Sequence, residues 1–412
     1  MSYDVGPFSS TVPPLPSSRR LRVLFIPQWY PSADGLNQVT GTFCREHVRA
    51  ASLYDDVAVL VFSVRQDRWP TLRWRLMNDD GIPTFYADHG TSPIPKTTRP
   101  FFYLHLRRAF SRIVEEWGLP DVIHTQDALA YYVMRGLSTF GIPFVISQHW
   151  SGFMERIVDA PTARRFAWAF SRAVRVLSVN KFAERDYQHY RLEPSITWLP
   201  NVLDTEIFWS RHQSPKEPWV LHASGLTREK RLPDIIQAFG RVQSRHAILH
   251  IVGDGPHRSQ FESLAKRTLK PSSVRFHGLV AKPQLANLMR RSSGLVMASD
   301  AETFGCVLME AMACGCPVLT TRVGGIPAVV PEGDGLFVEV GNVDQIVNGM
   351  QRLLDGTHGL DLQRISRETR GRFSHSTIGR VLHDEHARAA MVNPQHHHHH
   401  VQGSHALTQG TH

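Results

Sequence analysis

The stretch from Gly294 to Val330, GLVMASDAETFGCVLMEAMACGCPVLTTRVGGIPAVV, reads as strand, loop, helix, turn and strand. Gly294 to Ala298 is an apolar run of strand length, and Ser299 to Phe304 is a polar loop. Gly305 to Cys314 has helical character, Gly315 is placed to end that helix in a left-handed conformation, and Pro317 to Thr320 opens the next strand. Glu302 therefore falls in the loop and Glu310 on the helix. Gly305 allows close backbone approach at the helix start, where unpaired N–H groups and the helix dipole favour an anionic oxygen. The two carboxylates flank that position and can accept hydrogen bonds from hydroxyls, so a sugar joined to a phosphate fits the pattern. The plainer alternative makes Glu302 a helix-start acid and Glu310 an exposed polar position. Gly324 and Gly325, after the second strand, mark another tight backbone approach that a buried core does not require.

Outward from this stretch, short β-branched runs alternate with helical segments along the chain. Leu21 to Ile26, Val57 to Val64, Val122 with Ile123, Phe144 to Ser147 and Val174 to Val179 read as buried parallel strands. Val220 to Ala223, His250 to Val252 and Val274 to His277 join Gly294 to Ala298 and Pro317 to Thr320 as a second set. Helical spacing is visible in Phe101 to Trp117, Leu232 to Val242, Pro256 to Arg267 and Lys282 to Arg291. The polar, proline-containing His212 to Pro218 separates the two series. The expected architecture is α/β, with two doubly wound Rossmann-like domains facing a central cleft, where the carboxyl ends of parallel strands bind ligands. Residues 21–212 form the first domain, 218–375 the second, and 376–391 a helix that packs back on the first. Residues 1–20 and the His-rich 392–412, with His396 to His400, read as disordered tails.

Composition narrows the class. The 412 residues are 42% hydrophobic and 20% charged, with 29 Gly and 26 Pro, the balance of a globular multidomain chain. Four cysteines are too few and too scattered for a secreted disulfide framework, and no signal peptide or membrane-spanning run is legible, so a cytoplasmic setting is expected. The net charge of +9 is spread over both halves, which argues against a nucleic-acid-binding arm and leaves phosphates, acidic polymers or an anionic membrane surface as partners. Gly253 and Gly255 flank Asp254 without the third glycine of a dinucleotide fingerprint, which makes a dehydrogenase the weaker reading. Cys314 and Cys316 lack a second thiol or imidazole pair at zinc spacing, and no nucleophile elbow is present.

The chain resembles the retaining GT-B glycosyltransferases of family 4 from about Leu21 to Ala390. The most specific element is E-x7-E, Glu302 to Glu310. LPNVLDTEIF (Leu199 to Phe208), SGLTREKR (Ser224 to Arg231), IVGDGP (Ile251 to Pro256), VRFHGLV (Val274 to Val280) and RFSHSTIGRVL (Arg372 to Leu382) accompany it in order. In the first domain, WYPSADGLNQVTGTFCREH (Trp29 to His47) looks like the loop after strand one, and VISQHW (Val145 to Trp150) like the strand end that carries a family histidine.

The resemblance implies that Glu302 contacts donor-sugar hydroxyls and Glu310 holds the ribose. It implies that Thr303 and the amides near Phe304 and Gly305 receive sugar or phosphate oxygens. Lys230 would neutralise the donor diphosphate, whose leaving group gains negative charge as the glycosidic bond breaks. His149 would lie near the scissile bond. Gly41, Ser224, Gly253 and Val280 would border the donor, Val280 at the nucleobase edge. Where many relatives carry Gly-Arg-Leu before that lysine, this chain has Ser224, Gly225 and Leu226, so a second phosphate cation would have to come from Arg228 or Arg231. No essential metal or other cofactor is implied, because the only D-x-D lookalike is Asp300, Ala301 and Glu302.

The activity so implied is hexosyltransferase-type transfer from a UDP- or GDP-sugar to the hydroxyl of a glycan or lipid-linked acceptor, with retention, in glycan, polysaccharide or glycolipid biosynthesis. A noncatalytic carbohydrate-binding or scaffold protein and a sugar-nucleotide epimerase stand as alternatives. Pro161 to Val179 carries Arg164, Arg165, Arg172 and Arg175 with no acid, and at helical spacing Phe166, Phe170, Ala173, Val174 and Leu177 share one side. With the Arg- and Trp-rich Arg65 to Met77, it reads either as peripheral contact with an anionic membrane at its inner face or as an ordinary domain helix.

Overall fold

A computed structural model describes residues 19–31, 41–65, 71–90, 95–210 and 216–392, with side chains left out at 65 and 95–99. Residues 1–18 and 393–412 of the expected tails, including His396 to His400, lie outside the described residues. So do 32–40 of the loop after strand one, 66–70 of the basic segment and 211–215 of the polar break. Arg20, expected in the loose tail, is instead ordered by donating to Ser52 O at 2.5 Å and Asp55 O at 2.6 Å.

The first sheet has eight strands: β1 (Arg22–Ile26), β2 (Asp56–Arg65), β3 (Leu72–Asp79), β4 (Ile82–Gly90), β5 (Val122–Gln126), β6 (Phe144–Gln148), β7 (Arg175–Ser178) and β8 (Ile196–Trp198). Their order is β3-β4-β2-β1-β5-β6-β7-β8, parallel throughout except for β3 against β4. Strand alternation divides the core in two. Leu24, Ile26, Leu60, Ile123 and Ile146 pack with Leu106, Phe110, Val133 and Phe166 of α2 (Pro95–Glu116), α3 (Leu129–Leu137) and α4 (Ala160–Phe170). Val23, Phe25, Val59, Val122 and Val145 face the other way, onto Val48 of α1 (Thr42–Ser52) and Ile378 and Leu382 near the chain's end. A short α5 (Ala183–Gln188) precedes β8.

The second sheet has six parallel strands, in the order β11-β10-β9-β12-β13-β14. They are β9 (Glu217–Ala223), β10 (Ile248–Val252), β11 (Val274–Gly278), β12 (Ser292–Met297), β13 (Val318–Thr321) and β14 (Leu336–Val338). Around them lie α6 (Leu232–Phe239), α7 (Arg258–Thr268), α8 (Lys282–Arg291), α9 (Cys306–Ala313), α10 (Ile326–Val329), α11 (Val343–Leu354) and α12 (Leu362–Phe373). In both sheets the central strands, such as FVISQ of β6 and SSGLVM of β12, are buried along their whole length, as covering both faces with helices demands. Two parallel sheets covered by helices, facing each other, form the GT-B arrangement.

The chain crosses back where Leu203 N donates to Phe373 O at 2.7 Å. The last helix, α13 (His375–Met391), then lies on α1 and the first sheet. A Cβ at Gly379 would stand 2.2 Å from Ala50 O, so the α1–α13 crossing depends on glycine there. Polar groups fix the dock as well. His383 Nδ1 and His386 Nδ1 meet the buried Asp55 carboxylate at 2.6 and 3.0 Å, His386 Nε2 meets His124 Nδ1 at 3.0 Å, and Glu385 pairs with Arg175.

Two expectations need correction. The basic segment is not one amphipathic helix to Leu177: α4 ends at Phe170, and Arg175 to Ser178 is the interior strand β7. Phe166, Phe170 and Leu177 are core residues, so the apolar side packs inside the domain as in the ordinary-helix alternative, and Arg175 to Ser178 lies within the strand expected at Val174 to Val179. The strands β3, β4, β8 and β14 were not among those expected. β3 and β4 form a hairpin through Asp80 and Gly81, both at positive φ, with Asn78 Oδ1 accepting from Gly81 N at 2.6 Å.

Candidate active site

A cavity of about 310 Å³ opens between the two sheets. Phe43, His149, Val179 and Asn201 line it from the first domain. From the second come Ser224, Gly225, Lys230, Met297 and the run Glu302 to Val307. Every element involved presents the carboxyl end of a strand or the start of the helix after it, as open parallel sheets require.

The loop between β12 and α9 is shaped by glycine. Gly305 stands at φ 92° as the residue capping α9, and Gly315 at φ 67° ends the helix, so the helix runs one residue shorter at each end than the sequence implied. Phe304 and Gly305, with Cys306 and Val307 of the first turn of α9, line the cavity, and no side chain caps the helix start. Gly324 and Gly325 hold this loop from behind. A Cβ on either would fall about 2 Å from the carbonyl oxygen of Glu302 (2.0 Å) or Thr303 (2.1 Å), and Gly325 N donates to Glu302 O at 2.9 Å.

Lys230 ends a 3₁₀ turn after β9, and its Nζ donates to Glu302 Oε2 at 2.8 Å. The turn and the loop are tied again by Asp300 N to Glu229 O at 2.8 Å. Arg231 is held by Asp234 and Asp300 at 2.6 and 3.0 Å, whereas the exposed Arg228 has no carboxylate partner among the described residues. Ser224 Oγ lies 2.8 Å from Nε2 of His222, a buried imidazole whose pKa is pushed down to about 4 by burial.

His149 is buried, and burial first, then the neighbouring His47, keeps its ring neutral by pushing its pKa well below the usual value. Nε2 lies 3.2 Å from Ser147 Oγ, while the buried Nδ1 has no hydrogen-bond partner among the described residues. Asn201 Oδ1 is likewise unpartnered, and its amide reaches Cys306 Sγ at 3.2 Å across the cleft. Leaving such buried groups unmet costs about 1–3 kcal/mol each, an outlay that an oxygen-rich ligand in the cleft would offset.

Not every expected residue lines this cavity. Glu310 lies on the second turn of α9, where burial pushes its carboxyl up to about 7, against the pull of Lys282. Gly253 touches the wall from behind, because a Cβ there would fall 1.8 Å from Ser224 O. Gly41 packs on Trp29 and Tyr30 at the start of α1, two residues from the lining Phe43. Val280 follows β11 and packs on the core of the second domain, and Arg228 is exposed and is not among the residues lining the cavity.

The sequence reading passed over three groups of contributors. Phe43 and Asn201 stood inside quoted motifs, but nothing in their type marked them. Glu46 of α1 pairs with Lys282 of α8 at 3.1 Å and with His375 at 2.8 Å, joining the domains beside Glu310. Burial alone would raise the Glu46 carboxyl, but His375 and Lys282 hold it down to about 2. The third is Asp127, at the end of β5. Its Oδ1 accepts from His149 N at 2.7 Å and Trp150 N at 3.0 Å, its Oδ2 is buried without a partner, and burial pushes it up to about 7. Among the described residues no three His, Cys, Asp or Glu side chains converge as a metal site, and no helix is long and apolar enough to cross a membrane.

Comparison with known proteins agrees with this architecture. The family described as glycosyl transferases group 1 matches residues 204–372, and glycosyltransferase family 4 matches residues 34–207. Over 179 residues the chain is 34% identical to N-acetyl-alpha-D-glucosaminyl L-malate synthase of Bacillus anthracis, 40% of this chain and 46% of that protein. It is 31% identical over 144 residues to a sulfoquinovosyl transferase of Arabidopsis thaliana, 34% of this chain and 27% of that protein. The matched stretches thus span less than half the length of these two relatives. Among solved structures, sucrose-phosphate synthase from Thermosynechococcus elongatus superposes with a TM-score of 0.68 at 21% identity, over 88% of this chain and 97% of that one. Anabaena HepE in complex with UDP-glucose does so with a TM-score of 0.67 at 17% identity, over 88% and 98%.

Proposed function

Because the chain belongs to glycosyltransferase family 4, with its two domains in the GT-B arrangement, we propose that it moves a sugar from a nucleoside diphosphate to an acceptor hydroxyl with retention of configuration. The observation that carries this reading is the single cavity that brings Lys230, Glu302 and the amino end of α9 opposite His149.

In this reading the diphosphate takes Lys230 as its cation, with the amides at Phe304 and Gly305 supplying fixed donors. Both act most strongly on the charge that develops as the glycosidic bond breaks. Glu302, released in part from Lys230, accepts from sugar hydroxyls beside Thr303. Glu310 accepts from the ribose, and the backbone at Val280 meets the nucleobase. His149 is neutral and offers Nδ1 to the transferred sugar or the incoming hydroxyl. Ser224 and Gly253 shape the wall behind the phosphates, Gly41 brings the first domain's loop close, and Arg228 supplies the second phosphate cation. UDP is the nucleotide to try first, since HepE was solved with UDP and with UDP-glucose.

Peripheral contact with an anionic membrane rests on narrower ground than the sequence implied. The exposed edge strand β3 carries Arg73, Arg75, Leu76 and Met77, the arginine and apolar pairing suited to a headgroup layer at the cytoplasmic face. Absence of cosedimentation with phosphatidylserine liposomes at low salt would end that part.

The test of the main reading is a thermal-shift series with UDP, GDP and ADP and their common sugar conjugates, repeated with Glu310→Gln. Stabilisation by one nucleotide that weakens in the variant supports the site. No shift at millimolar ligand would sink it. Binding without turnover for any acceptor would favour the scaffold alternative.

A further inference from the structure

Beyond the carboxyl end of β5, a second hollow of about 200 Å³ lies between α2, α3 and α4, lined by Tyr103, Tyr131, Tyr132, Arg135 and Arg165. A narrower pocket of about 50 Å³ shares Tyr131, Tyr132 and Arg165 with it and includes Asp127 and Thr162 in its wall. We propose that this hollow is the acceptor subsite, and that it takes an anionic saccharide: a sugar ring on the tyrosines whose carboxylate or phosphate is gripped by Arg135 and Arg165. The proposal rests on the transferase reading above and narrows it to a substrate class.

Four observations support it. The aromatic wall is built rather than incidental. Tyr131 meets Tyr132 edge-on at 5.1 Å and Trp168 edge-on at 5.3 Å, which presents flat apolar surface with polar tips, the surface that a pyranose with apolar C–H faces and polar rims fits.

The two guanidinium groups are positioned by rings instead of acids. Arg135 donates to Tyr131 Oη at 3.0 Å and stands 5.7 and 6.0 Å from the Tyr131 and Trp168 ring centres, and Arg165 stands 5.8 Å from that of Tyr132. Neither has a carboxylate partner among the described residues, whereas Arg45, Arg175, Arg231 and Arg364 all do. The nearest acid in sequence to Arg165, Asp159, caps α4 through Thr162 N and is exposed. Stacked arginines with unspent donors match an oxyanion in a bidentate fork.

The narrower pocket, which shares Tyr131, Tyr132 and Arg165 with the hollow, has a residue with a buried, unpartnered polar atom in its wall. Asp127 is 1% exposed, and its Oδ2 has no partner among the described residues, so a ring hydroxyl of the saccharide would satisfy it. Finally, the narrower pocket is linked to the donor cavity through Asp127. The same Asp127 accepts the backbone N–H of His149, which lines the cavity between the domains, so a hydroxyl seated near Asp127 stands on the acceptor side of His149.

The test uses the full chain in saturating UDP, titrated with a glucuronate-terminated disaccharide, its glucose-terminated neutral counterpart, and inorganic phosphate. The glucuronate compound is expected to bind at least tenfold more tightly than the neutral one. That preference should vanish in Arg135→Gln/Arg165→Gln, while UDP binds the variant as it binds the wild type. Equal binding of the two disaccharides, or a charge preference that survives in the double variant, would overturn the proposal. Phosphate binding as tightly as the glucuronate compound would reduce the hollow to a simple anion site and overturn it as a saccharide site. If the wild type does not bind UDP, the transferase reading itself has failed. If UDP binds and no charge preference is seen, only the anionic acceptor has.

Discussion

Lys230 Nζ stands 2.8 Å from Glu302 Oε2, a part-buried contact that bridges the turn after β9 and the loop before α9. The pair holds a cation and a hydrogen-bond acceptor at the spacing of a phosphate beside a sugar, and each keeps the other from being an unmatched charge in a half-enclosed cleft.

Lys230→Ala is expected to lower kcat/KM for transfer at least a hundredfold with the fold intact, because the diphosphate loses a cation that matters most at the transition state. Glu302→Gln should cost at least tenfold. Since the two side chains touch, the double variant should lose less than the product of the single losses. Full activity in both single variants would remove them from the site.

The Glu310 carboxyl is pushed up to about 7 by burial, so near neutral pH it is only partly ionised. Ribose hydroxyls need the carboxylate as acceptor. Calorimetric affinity for UDP should therefore rise between pH 6 and pH 8 more steeply in the wild type than in Glu310→Gln, whose own slope reports only the phosphate. Parallel profiles would place the ribose elsewhere.

Asp127 provides a stability test. Its folded-state pKa is raised from 3.8 to about 7, so its contribution is complete below pH 4 and is lost as the pH rises through 7. Asp127→Asn keeps an acceptor for the His149 and Trp150 amides but does not titrate. The variant should gain on the wild type between pH 4 and pH 7, by on the order of 4 kcal/mol at most, and hold that gain above it. Urea unfolding at pH 4 and pH 8 with an unchanged difference would contradict this.

The dock of α13 should depend on pH at both ends. Burial alone would raise the Asp55 carboxyl, yet hydrogen bonds from His383 and His386 hold it down to about 2, so its contribution is present above pH 4 and lost as pH falls toward 2. His383 is raised by its hydrogen bond to Asp55, so its contribution is present below pH 6.5 and lost as pH rises through that raised value. Hydrogen-exchange protection of α13 amides, corrected for intrinsic rates, should peak between about pH 4 and pH 6.5, and His383→Gln should flatten the alkaline side. A flat wild-type profile would mean that Gly379 and the apolar contacts suffice.

What the sequence reveals depends on how far apart the cooperating residues lie. Glu302, Thr303, Phe304 and Gly305 sit in one contiguous loop, and their strand, glycine and helix grammar survives in a linear reading. Central strands such as Phe144 to Gln148 announce themselves because both faces are buried. The β3–β4 hairpin was overlooked although Asp80–Gly81 is a strong two-residue turn signal, because β3 is an exposed edge strand with Arg, Trp and Met in place of clean alternation. The three-residue strands β8 and β14 are too short to show a period. The helical spacing of the arginines runs on through the turn at Ser171 to Val174 and hides the α4–β7 boundary, which only the β-branched run Val174 to Val179 marks. Asn201, Asp127 and the Glu46–Lys282 pair gain meaning only across domains or strands, and no local pattern encodes that.

The return of α13 to the first sheet has a consequence for biogenesis. Val23, Phe25, Val59 and Val145 form one wall of a core whose other wall includes Ile378 and Leu382, more than two hundred residues later in translation. As the chain leaves the ribosome, the first sheet must wait with that wall incomplete until the second domain has been made. A stop codon shortly before His375 would thus harm the domain already synthesised more than the domain it interrupts.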